Sequence, residues 1–211
     1  ATYGGLYTTY GAERGYIDFG IAYGINQVET RTADPFRLDG DFDAQVANFY
    51  LGGGYDLTDT RGGTVFTPEA SIQYAKYKQD GYTETGTAAV PRVFDEFDAD
   101  SLLSSIGINV AMQERKAMKT VAFQLDGRLH WMHEFNADPS DTNFMLAGGS
   151  NRYLLNYPSL DEEIYRIGIG CSFFNIGRRK PSNVVFRVDF DELFGDGFNS
   201  HNLSAKLIYA F

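Results

Sequence analysis

Apolar and polar residues alternate one by one along segment after segment of this chain. Near the C-terminus, Leu203, Ala205 and Leu207 fall on one face, while Asn202 and Ser204 fall on the other. A period of two residues is typical of a β-strand with one apolar and one polar face. The pattern predicts an all-β protein with about nine antiparallel strands. The segments that show the alternation are 2–10, 15–29, 45–57, 63–78, 101–113, 121–131, 165–173, 184–190 and 202–211.

The length of these segments and their polar faces indicate a membrane barrel. Most of them reach the roughly 9–11 residues that cross a bilayer obliquely, whereas soluble strands usually end after about 5–6. Ionised side chains recur in mid-strand, which suits a polar barrel interior. Aromatic residues make up 15% of the chain and gather near strand ends, as they do at the two interfaces of a bilayer. We therefore predict an antiparallel up-and-down transmembrane β-barrel with its apolar side chains facing lipid.

The connections between these segments alternate in length. Short periplasmic turns and long external loops are the usual asymmetry of such barrels, so we expect the long connections outside the cell. For residues 142–157 within the longest connection, we favour a partly ordered external loop over two more strands. The short connections lie near 11–14, 58–63, 114–118 and 176–182, the long ones near 30–44, 79–99 and 136–162, and a tight exception lies at 195–198.

Charged and polar side chains on the polar face are the candidate functional residues. One interpretation is a hydrated pore whose wall contacts a passing or resident polypeptide. The other is that these groups pair with one another, because buried charges require partners in a confined space. The main candidates to line the lumen are Glu69, Asp126, Arg128, Glu134, Arg187 and Asp189, accompanied by Asp18, Gln73, Asn109 and Arg166.

Composition excludes several classes of function. The net charge of −10 argues against a nucleic-acid partner. A single cysteine, Cys171, excludes an internal disulfide and a cysteine-rich metal site. No metal, nucleotide or nucleophile motif is recognisable, so we expect no cofactor. Residues 1–3 lack the basic and apolar features of a signal peptide, which we interpret as a mature or truncated product.

The last eight residues, Ser204 to Phe211, resemble the C-terminal signal of outer-membrane barrels. In that signal aromatic residues occupy the last and third-last positions, and Tyr209 and Phe211 match them. Lys206 stands where the signal usually has glycine. The resemblance implies recognition by the barrel-assembly machinery, to which the terminal strand offers an unpaired edge.

Other stretches resemble the autotransporter β-domain family in the right order along the chain. They are Gly5-Leu6-Tyr7, Gly15-Tyr16-Ile17-Asp18, Gly53-Gly54-Tyr55, Thr67-Pro68-Glu69-Ala70, Asp80-Gly81-Tyr82-Thr83-Glu84, Asp98-Ala99-Asp100-Ser101-Leu102 and His133-Glu134-Phe135. The complete barrel of that family has twelve strands. The resemblance implies that residues 1–211 form one barrel domain that lacks the first strands, the linker helix and the passenger.

The resemblance also implies a function. The chain would be the outer-membrane translocator of type V secretion, which anchors the C-terminus and helps to export an N-terminal passenger. Its partners would be outer-membrane lipids and lipopolysaccharide, the assembly machinery, and its own passenger and linker. We expect no catalysis in the barrel, although some relatives cleave their linker with inward acids, for which Glu69, Asp126 and Glu134 would be the candidates.

Two alternatives remain open from the sequence. A porin-like or adhesin barrel would need no passenger. An outer-membrane barrel protease would need histidines and acids together at the external rim to activate water. The residues that the protease hypothesis would use are His130, His133, Asp95 and Asp98.

Overall fold

The computed structural model describes residues 1–32, 37–57, 63–86, 90–118, 121–136, 141–155, 161–176 and 181–209. Among these residues there is no helix long and apolar enough to cross a membrane. They form thirteen strands: β1 (Thr2–Gly11), β2 (Gly15–Arg31), β3 (Asp39–Tyr55), β4 (Thr64–Gln79), β5 (Tyr82–Thr83), β6 (Arg92–Phe94), β7 (Phe97–Met118), β8 (Val121–Glu134), β9 (Thr142–Leu146), β10 (Arg152–Leu155), β11 (Glu163–Ile176), β12 (Pro181–Phe194) and β13 (Asn199–Tyr209).

Nine of these strands build one curled antiparallel sheet. Its order is β1-β2-β3-β4-β7-β8-β11-β12-β13, so each strand pairs with the next long strand of the chain. The predicted all-β, up-and-down architecture is confirmed, and each predicted segment falls within or largely within one of the nine strands.

All connections at one end of the sheet are short, from two to eight residues. At the other end the connections after β4 and β8 are long, as predicted, and that after β12 is tight. The predicted long connection 30–44 is wrong, because β2 extends to Arg31 and β3 begins at Asp39, so only residues 32–38 join them. We call the first end the short-turn end and the second the long-loop end.

The two faces of the main sheet differ in polarity, and the apolar face is the exposed one. Ile169 is 63% exposed, Leu207 72% and Phe186 44%. On the opposite face Asp126 is only 7% exposed and Asp189 4%. A soluble sheet would bury its apolar face, whereas a membrane barrel turns that face to lipid. We call the apolar face of the membrane-spanning part the outward face and the opposite face the inward face.

Near the long-loop end, the polarity of the two faces is exchanged. On β2 and β3 the outward pair Gln27–Asp43 is polar, while the adjacent inward pair Val28–Phe42 is apolar. Ala44 on the inward face is fully buried. A sheet that is charged outside and apolar inside is the arrangement expected in water. The exchange therefore marks where these strands leave the lipid band.

Four short strands form a second sheet at the long-loop end, in the order β10-β9-β6-β5. Aromatic rings cross it in a ladder that begins on β3. Their centroids are 4.7 Å apart for Phe42–Tyr82, 4.7 Å for Tyr82–Phe94, 5.7 Å for Phe94–Phe144 and 5.3 Å for Phe144–Tyr153. Because Phe42 faces inward, the ladder attaches the second sheet to the inward side of the wall.

The second sheet corrects one prediction. Residues 142–146 and 152–155 are paired strands with Arg152 opposite Met145, not a partly ordered loop. They add nothing to the main sheet, since β9 pairs with β6 of another long connection. Such short strands depend on partners distant in the sequence, which a local pattern does not show. Residues 156–160 lie outside the described part of the chain.

Candidate functional site

An arginine on β12 ties two aspartates together on the inward face. Arg187 donates two parallel hydrogen bonds to Asp126 of β8, Nη1 to Oδ1 at 2.8 Å and Nη2 to Oδ2 at 2.9 Å. The same guanidinium reaches Asp189 at 2.6 Å and the Ser172 hydroxyl at 3.0 Å. Two parallel bonds fix both the direction and the distance of a carboxylate, so Arg187 holds β8 and β12 in register.

A second set of ion pairs continues from Asp189. Arg128 of β8 donates from Nε to Asp191 at 2.7 Å and from Nη2 to Asp189 at 2.9 Å. Arg166 of β11 donates from Nε to the same Asp191 at 3.0 Å. Together with Arg187 and Asp126 the network holds three arginines and three aspartates. Its formal charges balance, which reduces the cost of their burial.

The network spans three strands because the middle strand carries glycine where it crosses. A Cβ on Gly168 of β11 would lie 2.3 Å from Asp191 Oδ1 and 2.4 Å from Arg128 Nε. A Cβ on Gly170 would lie 2.5 Å from an Arg187 nitrogen and 2.6 Å from Asp126. The side chains of β8 and β12 therefore meet directly over β11.

The same construction joins five strands on the other part of the wall. Glu69 of β4 accepts a hydrogen bond from the Tyr16 hydroxyl of β2 at 2.8 Å, and its Oε2 lies 3.4 Å from Nε2 of His130 on β8. Gly54 of β3 and Gly107 of β7 occupy the intervening positions in register. A Cβ on either glycine would come within 2.8 Å of Tyr16 or His130.

Tyrosine rings cover further glycines of the inward face. A Cβ on Gly24 would lie 2.2 Å from the ring of Tyr3, and one on Gly52 would lie 2.4 Å from the Tyr50 hydroxyl. Glycine leaves strand backbone uncovered, and a ring laid across it restores packing. Gly52 and Gly54 of β3 thus relieve crowding by neighbouring aromatic rings.

Glu134 is inward and buried, but it lies apart from the other candidates. Its carboxylate accepts hydrogen bonds from the Ser101 hydroxyl at 2.5 Å and from the Leu102 and Asn136 backbone amides at 2.8 and 3.1 Å. These contacts satisfy polar backbone groups at the long-loop end of β7 and β8. Of the six main candidates, the structure thus brings Asp126, Arg128, Arg187 and Asp189 together and leaves Glu69 and Glu134 separate.

The four residues of the protease hypothesis do not converge in the described part of the chain. His130 faces inward and contacts the Ser105 hydroxyl at 3.2 Å, whereas His133 faces outward and contacts Glu163 at 3.0 Å. Residues three apart on a strand point to opposite faces. Asp95 pairs instead with Arg152 at 3.5 Å, and Asp98 lies on the outward face of β7, opposite Lys78.

Sequence reasoning missed Asp191, which binds two arginines. Asp191 lies two residues after Asp189, and this spacing indicates that both side chains are on the same face of the strand. It was missed because the predicted strand ended near residue 190, whereas β12 continues to Phe194. Tyr209 of the predicted assembly signal lies in β13, opposite Val184. Phe211 lies outside the described residues.

A polar cleft of about 280 Å³ opens on the inward face between the two sets of contacts. Glu69, Asn109 and His130 line it together with Arg128 and Arg166. The Oδ1 atom of Asn109 is buried and has no hydrogen-bond partner. Within the described residues no group of His, Cys, Asp and Glu has the geometry of a metal site.

Outside the lipid band, one buried acid fixes the second sheet. Glu84 is 4% exposed and accepts from Arg92 Nε at 2.7 Å and Nη2 at 2.5 Å. The hydrogen bonds to this carboxylate raise the pKa of the Arg92 guanidinium above its ordinary value. Arg92 also lies 5.3 Å from the Phe94 ring centroid, so the pair supports the aromatic ladder.

The sequence also matches known proteins. The sequence-family model of the autotransporter β-domain matches residues 1–175. The chain belongs to the autotransporter β-domain family. An extracellular serine protease of Serratia marcescens is 22% identical over 91% of this chain and 18% of its own length. Outer membrane protein B of Rickettsia japonica is 22% identical over 95% of this chain and 13% of its own length.

Membership places this chain in the outer membrane, and the exposed apolar face is the surface that such a location requires. An autotransporter β-domain is a translocator, not a catalytic domain. This β-domain spans less than a fifth of the two relatives.

Proposed function

We propose that this autotransporter β-domain anchors a longer protein in the outer membrane and helps to export an N-terminal passenger to the cell surface. The observation that carries the proposal is the exposed apolar face, backed by buried ion pairs on the inward face. This arrangement produces a polar passage through an apolar membrane. The family match and the greater length of the relatives support the presence of a passenger.

The barrel that performs this function is larger than the nine-stranded sheet. In the described residues β1 pairs only with β2, and β13 pairs only with β12. A membrane barrel has no free edges, because unpaired backbone groups are costly in lipid. We therefore include further strands of the same polypeptide in the closed barrel, with a total of twelve as in the family.

Lipid, lipopolysaccharide and the barrel-assembly machinery are the remaining partners in this proposal. The outward face supports the lipid contacts. The C-terminal aromatic residues Tyr209 and Phe211 support recognition by the assembly machinery. No catalytic role is included for the wall residues Glu69, Asp126 and Glu134, because their contacts are those of structural pairing.

The test is surface display by the full-length protein in Gram-negative cells. An epitope is placed in the upstream region, and its accessibility to antibody and protease is measured on intact cells. We expect a displayed epitope and a heat-modifiable barrel band on gels. A β-domain that folds in the membrane without displaying any upstream region would favour a porin-like or adhesin role and contradict the proposal.

A further inference from the structure

A glycine leaves a gap among the apolar side chains of the outward face. Gly127 of β8 lies opposite Val110 of β7 and Ile169 of β11, in the outward row of each strand. A Cβ on Gly127 would have no neighbour closer than a carbonyl oxygen at 4.0 Å, so the space above it is open. Because glycine has no side chain to pack, the lipid face is indented here.

The indentation is part of an apolar groove of about 560 Å³ that crosses four neighbouring strands, β7, β8, β11 and β12. No outward side chain that lines the groove is charged. A surface of this kind accommodates hydrocarbon and offers no partner to a polar ligand. Its outward lining includes Met112, Leu125, Ile169, Cys171, Val188 and Phe190.

The groove lies in one half of the lipid band. Gly127 is midway between Phe123 and Trp131, the outward aromatic residues near the two ends of β8, and such rings mark the interfaces of a membrane. By register, every outward residue of the groove is level with Gly127 or nearer the short-turn end. The strand rises about 20 Å from Val121 to Gly127, which at a tilt of about 45° spans half of a hydrocarbon core of about 30 Å. The groove therefore matches the depth of one leaflet.

Positive charge is concentrated at the two hairpins whose strands form the groove. Residues 114–119 and 177–180, which belong to the connections β7–β8 and β11–β12, hold six lysines and arginines and one acid. The other two short connections, 12–14 and 56–63, hold two arginines and three acids. Basic residues beside a membrane attract anionic headgroups. The cations are Arg115, Lys116, Lys119, Arg178, Arg179 and Lys180.

We propose that the groove binds one acyl chain of an anionic glycerophospholipid from the leaflet at the short-turn end. The chain lies over Gly127 between Leu125 and Ile169, and the phosphate lies at the level of the basic hairpins. Lipopolysaccharide is the competing source of phosphate and acyl chains, but it belongs to the leaflet at the cell surface, where we place the long connections. The inference rests on the lipid contacts of the proposed function and does not require a passenger.

A chain held here completes the packing of the wall behind the charge network. Asp126 and Arg128 flank Gly127 on β8 and face the opposite side. The strand that carries these charges thus has hydrocarbon packed on its outer side, at the position where it lacks a side chain of its own. Selectivity for an anionic lipid is confined to this part of the outward face.

The experiment is photo-crosslinking of the full-length protein in phosphatidylcholine vesicles. The probes are phosphatidylglycerol and phosphatidylcholine with a diazirine on one acyl chain, each at trace level, and the labelled peptides are mapped by mass spectrometry. The anionic probe should label Leu125, Ile169 and Cys171 about tenfold more than the zwitterionic probe does. Ile21 and Phe49, an outward pair of β2 and β3, should react equally with both. Equal labelling of the groove by the two probes would overturn the inference.

Filling the groove should remove the labelling. G127L places an apolar side chain in the indentation and should reduce labelling of the groove by the anionic probe about tenfold in a heat-modifiable barrel. The matched control is A70L, which adds the same side chain at an exposed outward position of β4 and should leave the labelling unchanged. Undiminished labelling in G127L would contradict occupation of the groove.

Two further measurements do not depend on that variant. R178Q/R179Q/K180Q should weaken the preference for the anionic probe, whereas K76Q/K78Q, which removes outward lysines of β4 near the long-loop end, should not. In the wild-type protein, unlabelled phosphatidylglycerol should displace the probe. Displacement by lipid A but not by phosphatidylglycerol would assign the groove to lipopolysaccharide and overturn the inference. Surface display of the epitope reports separately on the proposed function, so a displayed passenger without lipid preference refutes only the lipid site.

Discussion

Arg128 on β8 and Asp191 on β12 share a hydrogen bond of 2.7 Å although the whole of β11 lies between them. The contact passes over Gly168, which is opposite both residues in register. Cohesion of this wall therefore depends on interactions between second neighbours as well as on the backbone ladder.

Replacing Gly168 with valine should loosen the wall. Its Cβ would overlap the atoms of Arg128 and Asp191 that are now bonded, and we expect a loss of roughly 1–3 kcal/mol in the free energy of unfolding. Urea unfolding of the full-length protein in lipid vesicles measures this loss. Gly127→Ala is the matched control, because its Cβ would meet only a carbonyl oxygen at 4.0 Å. Equal destabilisation by both changes would contradict the crossing contact.

Truncating Arg187 should cost more than altering any single aspartate. Arg187→Met would leave Asp126 and Asp189 buried without their main cation, which typically costs roughly 3–5 kcal/mol. Adding Asp126→Asn should recover part of that loss, because one uncompensated charge disappears. The midpoint of urea unfolding for the two single variants and the double variant gives the coupling energy. Strict additivity would show that Arg187 and Asp126 do not interact.

A positive charge on the outward face should be tolerated above the lipid band and not within it. Ile169→Arg places a guanidinium in the apolar band, where such a charge costs roughly 2–4 kcal/mol. Gln27→Arg makes the same addition beyond the point where the polarity of the faces is exchanged. The yield of heat-modifiable barrel in outer membranes compares the two. A similar loss at both positions would place the lipid boundary elsewhere.

Removing the central ring of the aromatic ladder should open the second sheet without unfolding the barrel. Phe94→Ala deletes the contacts of Phe94 with Tyr82 and Phe144. We expect trypsin to cleave after Arg152 about tenfold faster on intact cells, because the edge strand β10 separates more often. Val90→Ala, at an exposed position, serves as the control. Unchanged cleavage in Phe94→Ala would show that the ladder does not hold the sheet.

The strands of the lipid band were predictable because their signal is local. Ile169 and Asp189 lie in segments whose alternation is visible over a few residues. The beginning of β3 was missed because its outward residues, Asp39, Asp41 and Asp43, resemble a solvated loop. Above the membrane these acids lie on the outward face and the apolar residues between them lie on the inward face. The alternation continues there, but the polar residues now face outward and the apolar residues inward.

The contacts of the site were less predictable than its residues. Alternation places Asp126 and Arg187 on one face, but their bidentate pair depends on the strand order β8-β11-β12 and on glycine at position 170. The second sheet joins Thr142–Leu146 to Arg92–Phe94 across about fifty residues of chain. Such pairings join strands that are distant in the sequence, and no single segment encodes them.

The glycines of β11 make the ion pairs between β8 and β12 dependent on the alignment of the strand between them. Arg128 can reach Asp191 only when β8, β11 and β12 are all paired and β11 lies in one alignment. A two-residue slip would bring Arg166 or Ser172 into the place of a glycine and keep the bonding groups apart. A misaligned wall would thus retain its ladder but leave buried charges unpaired, a penalty that favours its release and renewed docking.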